Sequence, residues 1–268
     1  VLEAADAPGG QVRLAARTPA RAEMMGLIDW RVVQCEASGV EIRCNTYAEA
    51  GDVTALDPDV VIVATGGIAQ TRLYERDEEL DHAVSSWDVL SGDVRPAGDV
   101  LIFDEAGDHA GLQAAQAALE AGARVELMTP DRSIAPEVMG MNLSRYLKTL
   151  QRDDMRFTVG QRLLGVERAG NRLRAAIGTD YSERVTHAEY DQVVLNYGTA
   201  PLDELYFELK PLSRNRGEVD HPSLLAGRPQ AVATNPEGAF QLFRIGDAVS
   251  SRNTHAAIYD ALRLVRTL

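Results

Sequence analysis

Apolar positions along the chain follow two spacings. Residues 59–65 form a continuous apolar run ending at Gly66-Gly67. Such runs belong to parallel strands buried on both faces. Asp99-Val100-Leu101-Ile102-Phe103, Arg124-Val125-Glu126-Leu127-Met128 and residues 191–197 read the same way. Between the first two of these, residues 110–121 carry the Ala/Leu spacing of a helix, stopped by Gly122. Strand, helix and strand make one β-α-β unit, the size expected for a right-handed crossover. Residues 20–38 predict a helix packed through Leu27, Ile28, Trp30, Val32 and Val33, with Gly39 as its stop. Helices are also predicted over 140–151 and 254–267, and a last strand over 240–245.

Elsewhere the pattern is weaker. Residues 40–44 alternate like a half-buried strand, and 70–97 are polar without a period. Short strands near 155–159, 163–168, 172–177 and 184–188 predict an antiparallel meander. Residues 210–238, rich in Pro, Gly, Arg and Asn, read as a long excursion. Val1-Leu2-Glu3-Ala4 reads as the end of a buried strand with no lead-in, so the chain is expected to be a piece of something longer.

Composition narrows the function classes. Of 268 residues, 45% are apolar and 25% charged, which suits a globular domain. The net charge of −13 argues against nonspecific nucleic-acid binding, which needs a cationic surface, and against an anionic membrane face. No apolar run approaches the roughly 20 residues of a membrane helix. No cationic leader opens the chain, so a cytoplasmic location is expected. Cys35 and Cys44 stand without a C-x-x-C pair, which excludes a zinc knuckle or iron–sulfur run here. They read as two small core residues.

Four segments carry candidate chemistry. Glu3 at a strand end fits the carboxylate that accepts from the ribose hydroxyls of an adenosine, as it equally fits an exposed strand-end acid. Gly9-Gly10-Gln11 gives a turn that lets a ligand approach the backbone, beside an amide that both donates and accepts. Ala64-Thr65-Gly66-Gly67 follows a buried strand, and ligands of parallel sheets collect at the carboxyl ends of strands. Arg244-Ile245-Gly246-Asp247-Ala248 joins a strand to the helix start at residues 252–257. There Asp247 can accept from a sugar or ribityl hydroxyl, and the amides around His255 and Ala256 present a positive dipole end.

The second β-α-β unit lacks G-x-G-x-x-G where a phosphate loop belongs. Residues 104–111 hold Asp104, Glu105, Gly107, Asp108 and His109 instead. Three acids there oppose a pyrophosphate. An empty site, or an adenine nucleotide held by backbone amides alone, fits better than tight NAD(P)H binding. His109 and His255 are the histidines in expected site loops, while His82, His187 and His221 read as surface loop residues. No metal-ligand constellation follows from the spacing.

Residues 1–11, the helix around Asp29-Trp30-Arg31, the 59–67 run, Arg244 to Ala248, and His255-Ala256-Ala257-Ile258-Tyr259-Asp260-Ala261 together resemble one protein region. It is the C-terminal flavin- and nucleotide-binding half of the trimethylamine dehydrogenase, dienoyl-CoA reductase and histamine dehydrogenase group. Within that group the chain is most similar to bacterial dimethylglycine or N-methylproline demethylases. The resemblance implies a missing N-terminal (β/α)8 barrel with FMN and a [4Fe-4S] cluster, where substrate is oxidised. It also implies that the first strand and phosphate loop of an FAD domain precede Val1, so FAD binding by the 268 residues alone is expected to be weak, and turnover by them alone is not expected. By position, Glu3 takes the adenosine ribose, Gln11 the flavin side, Thr65 and Gly66 the pyrophosphate neighbourhood, and Asp247 the ribityl chain. The departure at 104–111 resembles branches that pass electrons to an electron-transfer flavoprotein rather than use NAD(P)H.

Pattern and resemblance together predict an α/β fold of two interleaved Rossmann-like dinucleotide-binding domains, with parallel sheets and a small antiparallel meander. Residues 1–96 and 199–268 form a split FAD-binding-like domain, and 97–198 an inserted NAD(P)- or ADP-binding-like domain. The expected function is a flavin-bearing relay or structural module within an amine dehydrogenase. Two rivals remain: a portion of an NAD(P)H-dependent dienoyl-CoA-type reductase, and a cofactor-free structural or interaction module. Assembly into a homo-oligomer is left open.

Overall fold

A computed structural model describes residues 1–73, 78–79, 82–151 and 155–268. The fold is α/β, with parallel sheets and one small antiparallel sheet. The chain divides into two compact units, residues 1–12, 26–68 and 199–268, and residues 13–25 and 69–198.

The second unit is built on a five-stranded sheet. Its order is Ala83–Ser85, Gln192–Asn196, Asp99–Asp104, Arg124–Thr129 and Arg156–Val159, and every neighbour is parallel. Both faces are covered, which explains the continuous apolar runs. Val100, Ile102, Val125, Leu127 and Val194 pack against Leu112, Ala115 and Ala118 of helix His109–Glu120 and Tyr146 and Leu150 of helix Gly140–Leu150. The alternate positions Leu101, Phe103, Met128, Val193 and Leu195 pack with Leu163, Leu173, Ala175 and Ile177. Those four belong to an antiparallel sheet of Arg162–Ala169, Arg172–Thr179 and Ser182–Tyr190.

The meander therefore has three strands, not four. Arg156–Val159 pairs parallel with Arg124–Thr129 and extends the main sheet. Similarly, the span 70–97 contains structure its polarity hides. Ala83–Ser85 pairs with Val193–Leu195, and Ser85 and Asp88 form a reciprocal cap on helix Ser86–Ser91. Residues 74–77 and 80–81 of that span lie outside the described residues. The pairing ties Ala83–Ser85 into the second unit, whose longer segment runs over 69–198. Residues 13–25 also belong to this unit, because Gln113 Nε2 donates to Ala15 O at 2.7 Å and to Thr18 Oγ1.

The first unit centres on two parallel strands, Val60–Val63 and Gln241–Arg244, paired Val60 to Gln241 through Val63 to Arg244. Val53, Val63, Tyr206, Leu209, Phe240, Leu242 and Ala248 form its core. Residues 40–44 are not a strand. They contribute one parallel bridge, Leu2 to Arg43. The helix predicted over 20–38 begins as a 3-10 segment, Pro19–Met24, and continues as Met25–Ala37. None of the Met25–Ala37 residues is buried, and Trp30 is 61% exposed. Of its predicted apolar stripe, Ile28 and Val32 are half-buried while Leu27, Trp30 and Val33 are exposed. Within the 210–238 excursion, Asp220 caps helix His221–Ala226. The preceding helix Glu204–Leu209 was not legible as a period, because it is under two turns long.

Cys35 and Cys44 are free and half-buried rather than core residues. His187 sits within strand Ser182–Tyr190 and His221 opens a helix, so neither is a loop residue. Among the described residues no helix is long and apolar enough to cross a membrane.

Candidate functional site

In the first unit, the two parallel strands deliver their carboxyl ends side by side. Thr65-Gly66 follows one and Gly246-Asp247 the other. Gly66 and Gly246 have φ of +72° and +61°, so both backbones take conformations that glycine alone adopts freely. Gln11 reaches this edge from helix Gly10–Ala15, and its Nε2 donates to Asp247 Oδ2 at 3.0 Å. A Cβ on Gly66 would meet that same Nε2 at 4.0 Å, so Gln11, Gly66 and Asp247 are immediate neighbours. Arg252 N donates to the other Asp247 oxygen at 3.2 Å.

The remaining predicted residues are placed as follows. Gly10, at φ +46°, opens the helix that carries Gln11. Thr65 Oγ1 donates to Leu202 O, which ties that turn down but leaves the oxygen's lone pairs as acceptors. Glu3 Oε1 accepts from Ala5 N at 2.9 Å, while Glu3 N donates to Arg43 O at 2.9 Å. Among the described residues, Glu3 makes no hydrogen bond to Gln11 or Asp247. Helix Thr254–Val265 is capped by Asn253, whose side chain accepts from Ala256 N at 2.9 Å. The Ala256 amide is thus taken by the cap. His255 is exposed and stacks on Tyr259 with ring centroids 6.5 Å apart.

These donors and acceptors suit a polyhydroxylated cofactor chain. A carboxylate held by an amide and a backbone N–H keeps lone pairs for hydroxyl donors. Two positive-φ glycines at adjacent strand ends let a ligand pass close to the backbone. The residues therefore fit a ribityl or ribose segment. No G-x-G-x-x-G occurs among the 268 residues to cradle a pyrophosphate.

In the second unit, the loop after strand Asp99–Asp104 is filled by its own side chains. Asp104 is fully buried, and its Oδ1 accepts from Gly107 N at 2.9 Å and Asn196 Nδ2 at 2.8 Å. Its Oδ2 has no hydrogen-bond partner among the described residues. Burial pushes the Asp104 carboxyl up to about 7, with the Asp108 and Asp131 charges adding to the rise and the two hydrogen bonds opposing it. Asp108 caps helix His109–Glu120, accepting from Ala110 N at 2.9 Å and from Asn196 Nδ2 at 2.9 Å. Glu105 pairs with Arg162 Nη1 at 2.8 Å. The three acids are therefore partnered, and Asp108 already occupies the helix start where an anion would sit.

Asn196 is the residue that sequence reasoning missed here. It ends strand Gln192–Asn196, accepts from Ser86 Oγ at 2.9 Å, and joins two carboxylates. A polar residue closing a buried apolar strand was the available signal. His109 Nδ1 lies 3.2 Å from Tyr146 OH. Burial, then the Arg21 charge, pull His109 down to about 4, so it is neutral at pH 7. Gly111 allows helix His109–Glu120 to lie against Asp104, since a Cβ there would stand 2.7 Å from the carboxyl carbon. Among the described residues no group of three or more His, Cys, Asp or Glu could hold a metal ion.

The comparisons with known proteins bear on which ligand this geometry serves. A probable N-methylproline demethylase of Rhizobium meliloti (strain 1021) is 59% identical over all 268 residues, which make up 39% of its own length. An N,N-dimethylglycine/sarcosine dehydrogenase of Chromohalobacter salexigens is 39% identical across 99% of this chain and 40% of its own. Over its whole length the chain matches one portion of the proteins of this demethylase and dehydrogenase group. It spans about two-fifths of the length of those relatives. No protein-family model matches it. Among solved structures, histamine dehydrogenase from Rhizobium sp. 4-9 superposes over the whole chain with a TM-score of 0.79 at 18% identity, covering 39% of that protein. At that identity the likeness shows the fold alone. The chain thus shares that fold, and its similarity to these oxidoreductases supports a flavin or nucleotide cofactor in general terms.

Proposed function

We propose that this chain is the C-terminal, flavin- and nucleotide-binding portion of a flavin-dependent N-methyl amino-acid demethylase or dehydrogenase, and that its first unit holds FAD. One observation carries the reading. Gln11, Gly66 and Asp247 converge at the carboxyl ends of two neighbouring parallel strands, in a chain 59% identical to a probable N-methylproline demethylase. FAD, when bound, supplies an electron acceptor. Asp247 accepts from ribityl hydroxyls, and Gln11 holds that carboxylate in place from the flavin side. Thr65, Gly66 and Gly10 leave backbone room near the pyrophosphate, and Glu3 accepts from the adenosine ribose. His255 and the helix start at Ala256 place a positive dipole end at the same edge.

The second unit takes no NAD(P)H in this reading, because Asp108 fills the helix start and Glu105 is held by Arg162. Its role is then structural, or limited to an adenine nucleotide contacted through backbone amides. The rest of the parent protein, on this proposal, is a (β/α)8 barrel bearing FMN and a [4Fe-4S] cluster, and an electron-transfer flavoprotein is the partner.

Anaerobic reduction of the full-length protein tests this. Dimethylglycine or N-methylproline is expected to bleach the flavin absorption band, and NADH or NADPH to leave it unchanged. Bleaching by NAD(P)H without a response to either amine would select the dienoyl-CoA-type reductase reading. Protein without a flavin band would select the cofactor-free module.

A further inference from the structure

The turn that carries Asp247 is clamped by an arginine outside the cluster described above. Arg244 ends strand Gln241–Arg244, and its Nη1 donates to Asp203 Oδ2 and, at 3.2 Å, to Ala248 O. Ala248 closes the 3-10 turn Gly246–Ala248, so one guanidinium joins the start of helix Glu204–Leu209 to the turn bearing Asp247. The guanidinium also lies over two aromatic faces, with its carbon 4.6 Å from the Tyr206 centroid and 5.3 Å from that of Phe207. Tyr206 is buried and its hydroxyl donates to Gly217 O at 3.0 Å, so this platform is itself fixed. On the opposite side of the turn, Asp260 accepts from Gly246 N at 3.3 Å and from the Arg252 guanidinium.

We propose that Arg244 and Asp203 are positioning residues for the cofactor site, holding the Gly246–Ala248 turn so that the Asp247 carboxylate is pre-aimed at a ribityl hydroxyl. The inference rests on the reading of Asp247 as a flavin contact. An arginine suits the task because its planar fork bonds a carboxylate and a carbonyl while stacking on rings, which lysine cannot do together. Neither residue touches the cofactor itself. Their effect is on how far Asp247 must reorganise when the hydroxyl arrives.

The test is a double-mutant cycle on FAD affinity in deflavinated full-length protein, read by fluorescence titration. Arg244→Gln is expected to weaken FAD binding about tenfold, the loss of roughly one charged hydrogen bond. In an Asp247→Ala background the same change is expected to have little effect, because there is no carboxylate left to aim. Arg244→Lys should recover part of the affinity, and Asp203→Asn should resemble Arg244→Gln. Equal losses with and without Asp247 would overturn the positioning role and leave Arg244 as a general stabiliser. Wild-type affinity in Arg244→Gln, with weakened binding in Asp247→Ala, would overturn it while sparing the flavin site. Unchanged affinity in Asp247→Ala would remove the flavin reading and this inference with it. If Arg244→Gln fails to fold, Arg244→Lys and Asp203→Asn carry the same cycle.

Discussion

Asp247→Ala in the full-length protein is expected to raise the dissociation constant for FAD about 10- to 100-fold, the cost of a hydrogen bond to a charged group. The fold should barely register the change. Asp247 is half-buried, and its partners Gln11 Nε2 and Arg252 N lie at the same partly open edge, where water can replace it. The core beneath, Val63, Leu242 and Ala248, is untouched. Thermal unfolding of the flavin-free protein is therefore expected to shift by no more than about 3 °C. A large loss of stability with unchanged affinity would make Asp247 a structural residue.

The second large effect lies in the other unit and depends on pH. Asp104 holds its proton in the folded chain up to about 7, against 3.8 as the ordinary value. Between those values the folded state binds a proton that the unfolded state has released, so this group's contribution to stability falls as pH rises. The full effect is on the order of 4 kcal/mol. His109 works the other way. It is neutral above about 4 when folded but protonates near 6.5 when unfolded, so its contribution grows as pH rises through that window. Below 6.5 the two slopes oppose each other and the wild-type profile is expected to be shallow.

Single substitutions should uncover each limb. Asp104→Asn keeps the oxygen that accepts from Gly107 N and Asn196 Nδ2 and cannot ionise. Its stability is expected to rise from pH 5 to about 6.5 and then level. His109→Gln is expected to fall steadily from pH 5 to about 7. Hydrogen exchange in strand Asp99–Asp104 and helix His109–Glu120 reads the unit concerned. An Asp104→Asn profile parallel to wild type throughout would show that Asp104 is already charged at pH 5.

Much of this architecture was legible because burial on both faces leaves a mark in sequence. Asp99–Asp104, Arg124–Thr129 and Gln192–Asn196 alternate between two cores, so Val100 to Phe103 and Val193 to Leu195 read as continuous apolar runs and only Glu126 interrupts Val125 to Met128. Ala83–Ser85 did not stand out, because three residues cannot display a period and its neighbours are polar. Arg156–Val159 looked like part of the meander, since strand length and spacing say nothing about which sheet a strand joins. Trp30 and Val33 show the converse: a helical apolar spacing was present, but these two side chains are exposed while Ile28 and Val32 are only half-buried. At the candidate site, Gly-Asp after a strand pointed to Asp247, and the structure joins it to Gln11 across 236 positions. Asn196 and the bridging role of Arg244 were not legible, for a common reason. Each bonds a partner far away in sequence, Asp104 and Asp108 for Asn196 and Asp203 for Arg244, and one chain read in order does not show such partners.

On the proposed function, the first unit holds FAD and the second holds no nicotinamide cofactor. Identifying the nucleotides released when the purified full-length protein is denatured tests it most directly. One FAD per chain and no NAD(P) are expected. Release of NAD(P), or of no adenine dinucleotide at all, would contradict it.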